Sequence, residues 1–135
     1  MLFKSTDESL ATVDIACIDL FTGETELYKA GAAPTLVRRS GRTGKAESTS
    51  LPVGILRNIG FDRAAIRLKA GDILLLMSDG AVSEGLDWIR AELESFKDGN
   101  ARDLADLIAL GAKSRRQDAH TDDITVIALI IEKTP

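Results

Sequence analysis

Apolar residues first alternate with polar ones along this chain, then bunch, then recur at helical spacing. In ATVDIACIDL, Ala11 to Leu20, Val13, Ile15 and Cys17 share one face of an extended segment and Ala16, Ile18 and Leu20 the other. That pattern predicts a largely buried strand interrupted by Asp14 and Asp19. Thr22-Gly23 is turn chemistry, and ETELYKA running back from it completes a predicted hairpin. PTLVRR predicts a short strand opening at Pro34, a position where proline is tolerated. SGRTGKAESTS, Ser40 to Ser50, is small, polar and glycine-containing, and predicts an exposed loop or hairpin tip. LPVGIL, Leu51 to Leu56, combines apolar residues with Pro52 and Gly54 as a bent, buried connection does.

RAAIRLKAGD leads into five consecutive apolar residues, Ile73 to Met77, predicted as a strand buried on both faces and ending at Asp79-Gly80. Leu86, Ile89, Leu93 and Phe96 then follow at helical spacing and predict an amphipathic helix. KDGN breaks it, and Asn100 is a fitting N-cap for a second helix carrying Leu104, Leu107, Ile108 and Ala112. DITVIALII closes the chain as a β-branched run, predicted to be a central strand. Strands, a helical pair and a last strand predict an α+β fold with a mostly antiparallel sheet.

Composition narrows this only a little. A length of 135 residues is one domain, 1–135, with 44% hydrophobic and 28% charged residues, ordinary for a globular chain. A net charge of −4 argues against a dedicated nucleic-acid binder. Cys17 is the only cysteine, which excludes an internal disulfide and a cysteine-based zinc cluster and fits a reducing, cytoplasmic compartment. Within its apolar strand Cys17 reads as a small core residue. The opening MLFKSTDESL has no long apolar run, so neither a signal peptide nor a membrane span is expected from this segment.

The chemistry concentrates in carboxylates. Asp79 ends one apolar strand, and Asp122 and Asp123 stand at the entry of another. If those strands are antiparallel neighbours, the end of one meets the start of the other and the carboxylates share a rim of the sheet. Carboxylates in close range repel unless a cation neutralises them, and oxygen-only ligands favour hard ions such as Mg²⁺ or Mn²⁺. Each feature also has a plainer reading. Asp-Gly after a strand is commonly a turn, and Asp-Asp before one a solvated flank. His120 in a polar loop reads as a solvent residue, and Arg38, Arg39, Arg42 and Lys45 as a solvated cluster, the alternative being a phosphate or acidic partner.

Taken in order, GDILLLMSDG and TDDITVIAL resemble the two C-terminal metal motifs of the PPM-type (type 2C) serine/threonine protein phosphatases. ATVDIACIDLFTGETELYKAGAAP is similar to that family's central hairpin and its Ala-Gly-x-x-Pro turn. LPVGIL, LKAGD and DWIRAEL in succession resemble the stage II sporulation protein E branch. The resemblance runs from about Leu10 to Ile131. It implies a β-sandwich flanked by helices, with a binuclear Mn²⁺ or Mg²⁺ site at one end. It also implies hydrolysis of phosphoserine on an anti-sigma-factor antagonist, in sporulation or stress signalling, by a metal-activated water without a phosphoenzyme.

Carried over by position, Asp79 matches the aspartate of Ser-Asp-Gly and Asp122 the first aspartate of the later motif. Both are metal ligands in the family. Gly80 matches the glycine that turns the chain away, and Asp123 takes the Asn position as a weaker or outer ligand. The family's bridging aspartate and its Asp-Gly backbone ligand have no counterpart here, so the chain is expected to be the C-terminal half of the domain and inactive alone. The alternative is a catalytically dead module, derived from a phosphatase, that binds a regulatory partner. Monomer and homodimer, and a free or membrane-anchored parent, are left open.

Overall fold

The computed structural model describes residues 11–47, 61–117 and 122–133. In chain order its elements are strands β1 (Val13–Ile18), β2 (Glu24–Ala30), β3 (Thr35–Arg39), β4 (Arg42–Ala46), β5 (Asp62–Arg67) and β6 (Ile73–Met77). They are followed by a 3₁₀ turn (Asp79–Ala81), helices α1 (Asp87–Ser95) and α2 (Ala101–Arg115), and strand β7 (Val126–Ile130). Two antiparallel sheets and two helices make the α+β class expected from the sequence. The chain divides into two compact units, Met1–Ala32 with Glu47–Arg67 and Ala33–Ala46 with Leu68–Pro135. The predicted LPVGIL connection lies outside the described residues.

The first unit is a three-stranded sheet in the order β1-β2-β5. Thr22-Gly23 turns as predicted: Gly23 adopts φ 79° and donates to the Asp19 carbonyl at 2.8 Å. Two expectations for β1 are corrected. Among the described residues it is an edge strand, and Ile15 and Cys17 on its odd-numbered face are exposed; Cys17 is no core residue. Asp14, which interrupts β1 in sequence, stands across from the fully buried Lys29 and accepts from its Nζ at 2.9 Å. A buried ammonium needs such a partner. RAAIR, read only as the approach to the next strand, forms a strand of its own, β5, paired with β2.

The second unit is a four-stranded sheet, β4-β3-β6-β7, whose helix-facing side is closed by α1 and α2. Leu36, Ile73, Leu75 and Met77 of the sheet pack with Ile89 and Leu93 of α1 and Leu104 and Ile108 of α2. The helical spacings predicted these contact positions, except that Leu107, expected on the apolar face of α2, is exposed. All five residues of β6 are buried, as its unbroken apolar run requires. Asn100 caps α2 in a reciprocal box: its side chain accepts from the Asp103 backbone N–H at 2.9 Å, and the Asp103 carboxylate accepts from the Asn100 N–H at 3.4 Å. The final strand differs from expectation. It begins at Val126, and among the described residues it is the sheet's edge, paired only with β6.

Of the two readings of Ser40 to Ser50, loop or hairpin tip, the described part is a hairpin tip, with β4 over Arg42–Ala46. Arg39 pairs with Arg42, and only Ser40 (φ 51°) and Gly41 (φ 78°) form the turn. Two central residues at positive φ are what a two-residue hairpin with the right twist demands. Serine is strained there, whereas asparagine tolerates it. Ser40→Asn is therefore expected to stabilise the chain by about 0.5 kcal/mol, measured by urea unfolding; a loss of stability would show that the serine is held by something other than the turn.

Candidate functional site

The rim where β6 ends and β7 begins is built from backbone contacts. Met77 pairs with Val126, and the ladder continues one step further as the Ser78 N–H donates to the Thr125 carbonyl at 3.0 Å. The Ser78 hydroxyl then binds twice: it donates to the Asp123 carbonyl at 3.1 Å and accepts from the Thr125 N–H at 2.9 Å. Arg116, just past α2, donates to the Asp122 carbonyl. Ile124 packs its side chain against the core between these points. The segment carrying both aspartates is thus held to the end of β6 and to the end of α2.

Gly80 brings the two segments closest. A Cβ built on it would lie 2.3 Å from the Asp123 carbonyl oxygen and 3.2 Å from that of Asp122. Its φ is not positive, in contrast to Gly71 and Gly85 on either side. The requirement for glycine here is therefore clearance for a passing backbone, not the freedom to turn. That clearance sets the backbone at Asp79, the residue before Gly80, beside the Asp122–Asp123 segment at one rim of the sheet.

Two details of the rim bear on its chemistry. Asp79 is exposed, in the first turn after the strand, so the high cost of a buried carboxylate does not apply to it. Asp122 and Asp123 precede β7, so strict alternation across a pleat does not fix their directions. The Ser-Asp-Gly motif contains Ser78, but the sequence assigns no role to it or to Arg116. The available signal for Ser78 was its place as the first polar residue after the apolar run; nothing local marks Arg116. His120 lies outside the described residues.

As donors, these carboxylates fit a hard divalent cation in kind, and they fall short of a full ligand set in number. Among the described residues no group of three or more His, Cys, Asp or Glu side chains is placed to hold a metal ion. Two members of the basic cluster are engaged in structure. Arg38 donates to the Leu93 and Phe96 carbonyls at the C-terminus of α1, and Arg39 pairs with Asp72 at 3.6 Å. The Leu93 carbonyl also accepts from the Phe96 N–H at 3.4 Å, and Arg38 adds a side-chain donor at this end of α1. Among the described residues no helix is long and apolar enough to cross a membrane.

Comparison with known proteins gives this rim a context. Residues 1–132 match the family model of stage II sporulation protein E (SpoIIE). The chain is 30% identical over 135 residues to stage II sporulation protein E of Bacillus subtilis (strain 168), covering 96% of this chain and 16% of that protein. It superposes on the solved phosphatase domain of the cell fate determinant SpoIIE from B. subtilis with a TM-score of 0.79 at 28% identity, covering 98% of this chain and 61% of that one. A second structure of that domain, presoaked with Mn, gives a TM-score of 0.76 at 28% identity, over 97% of this chain and 60% of the other. The chain therefore spans less than two thirds of the solved domains it matches.

Proposed function

The chain belongs to the stage II sporulation protein E family, and from that membership we propose that it supplies one side of the metal centre of a PPM-type protein serine/threonine phosphatase. Asp79 and Asp122 are the residues that would hold Mn²⁺ or Mg²⁺, with Asp123 as a weaker or outer ligand. The observation that supports this reading is the passage of the Asp122–Asp123 backbone against Gly80, which brings together aspartate-bearing segments from two distant parts of the sequence. A divalent cation bound there supplies Lewis-acid polarisation of a phosphoryl group and a hydrolytic water active near neutral pH.

The chain's own residues do the positioning. Ser78, bonded to both Asp123 and Thr125, fixes the spacing of the two segments, and Arg116 fixes the Asp122 end. Preset spacing lowers the cost of ordering the ligands when the ion arrives. The substrate class is a phosphoserine protein of the anti-sigma-factor-antagonist type, acted on in the cytoplasm. The shortfall of ligands among the described residues favours a second reading, an inactive module that binds a regulatory partner. Partner capture that survives a chelator supports the module; capture abolished by the chelator counts against it.

Mn²⁺ broadens the NMR signals of nearby amides even when it binds weakly. In the 135-residue chain, broadening is expected at Asp79 and Asp122–Asp123, reduced in Asp79→Asn and in Asp122→Asn because each loses a charged hard-ion ligand. Calorimetry is expected to give weak binding, since two or three carboxylates leave most of the coordination to water. Broadening elsewhere, or unchanged in both variants, would remove the metal from this rim.

A further inference from the structure

Trp88, the only tryptophan of the chain, lies in the first turn of α1, half-buried against the core. Its indole N–H is buried without a hydrogen-bond partner, so packing and not a polar bond seats the ring. The seat is on α2. A Cβ built on Gly111 would lie 2.6 Å from Trp88 Cζ3, so glycine is needed there as clearance for the ring. One turn further on, the Arg115 guanidinium stacks over the same ring at 4.1 Å from its centroid and donates to the Gly111 carbonyl at 3.2 Å.

The next residue reaches the rim. Arg116 caps α2, its N–H donating to the Lys113 carbonyl at 3.3 Å, and its Nη2 donates to the Asp122 carbonyl. Its Nε is buried without a partner, so losing the Asp122 bond would leave still more of a buried guanidinium unsatisfied. We propose that Trp88 is a positioning residue for the carboxylate rim: seated on Gly111, it sets where the last turn of α2 ends, and Arg116 passes that setting to Asp122. The link is short and stiff. Gly111, Arg115 and Arg116 lie within two turns of one hydrogen-bonded helix end, and close-packed interiors transmit a displacement instead of absorbing it. The placement of Asp122 does not depend on a metal; its consequence for Mn²⁺ rests on the phosphatase reading.

Amide spectra and hydrogen exchange of the metal-free 135-residue chain test the placement. Gly111→Ala forces the ring or the helix to move. The Asp122, Asp123 and Thr125 amides are expected to shift, and the Thr125 N–H, held by the Ser78 hydroxyl, to exchange about 10-fold faster. Adding Trp88→Leu to Gly111→Ala gives the new Cβ room and is expected to bring these amides back toward their original positions. In an Arg116→Met chain, Gly111→Ala is expected to lower the melting point as before and to add no shift at Asp122, because the link is already cut. A merely structural role for Trp88 would add the same shift in both backgrounds. With Mn²⁺, Arg116→Met is expected to need about 10-fold more ion for equal broadening at Asp122–Asp123. Unmoved rim amides in a folded Gly111→Ala chain, equal added shifts with and without Arg116, no recovery with Trp88→Leu, or rim broadening that needs no more Mn²⁺ in Arg116→Met would each overturn the proposal. Should Gly111→Ala not fold, Trp88→Leu alone decides, and rim amides that it leaves in place would overturn it too. Amides coupled as described in a wild-type chain whose rim Mn²⁺ does not broaden would uphold the placement and fail the metal reading instead.

Discussion

Gly80→Ala is expected to destabilise the chain by about 2–3 kcal/mol, the range for forcing an extra carbon into a closed space. At this chain length that corresponds to a melting point lower by roughly 10 °C. The added Cβ would lie 2.3 Å from the Asp123 carbonyl oxygen, a separation no real Cβ tolerates, and the obstacle is backbone, which cannot rotate aside. Either the Asp122–Asp123 segment moves away or the turn after β6 does. Retreat of the segment strains the Ser78 bonds to Asp123 and Thr125 and leaves buried or half-buried groups short of partners. Gly44→Ala is the matched control: a Cβ there meets nothing within 4 Å, and no change or a slight gain is expected. A Gly80→Ala chain that melts with the wild type would show that the two segments are not held together as described.

The helical half of the chain was legible because each signal was local and redundant. Leu86, Ile89, Leu93 and Phe96 repeat at helical spacing, and Asn100 carries both halves of a capping box in four residues. The strands were legible in existence and less so in exposure. Alternation in β1 shows that Ile15 and Cys17 share a face, but which face meets solvent depends on partners elsewhere in the chain. β5 was missed as a separate strand because Ala64 and Ala65 give little contrast between faces. β7 was placed in the sheet's interior because an all-apolar β-branched run reads as central, whereas among the described residues its second edge pairs with nothing.

The candidate rim was legible only as far as residue type goes. Aspartates at the end of one apolar run and the start of another suggested a meeting, and Gly80 looked like a turn residue. The structure assigns Gly80 a different role, since close approach of two backbones separated by more than forty positions leaves no local trace. The roles of Ser78 and Arg116 were invisible for a related reason. Each acts on main-chain carbonyls of a distant segment, and any residue there offers a carbonyl, so no complementary side chain marks the partner.

The largest effect is expected in catalysis. The 135-residue chain with Mn²⁺ should release negligible phosphate from a phosphoserine protein. The same chain joined to the portion of the B. subtilis SpoIIE phosphatase domain that it does not span should be active. In the joined form Asp79→Asn should lower the rate by about 100-fold or more. Hydrolysis requires the attacking water to be held in line with phosphorus, and a misplacement of about 1 Å already costs about 100-fold. On the proposed reading, Asp79 and Asp122 would hold one cation from one rim. Among the described residues no third carboxylate, histidine or cysteine joins them, so alignment of the water depends on ligands supplied from outside. Asp123 is a weak replacement for such a ligand, because the carbonyl of the same residue is pinned by the Ser78 hydroxyl and packed against Gly80, which limits how far its side chain can be redirected. Robust Mn²⁺-dependent phosphate release by the 135-residue chain alone, lost in Asp79→Asn, would mean that its own residues complete the centre. Activity of the joined form that is indifferent to Asp79→Asn would instead take Asp79 out of the metal site altogether.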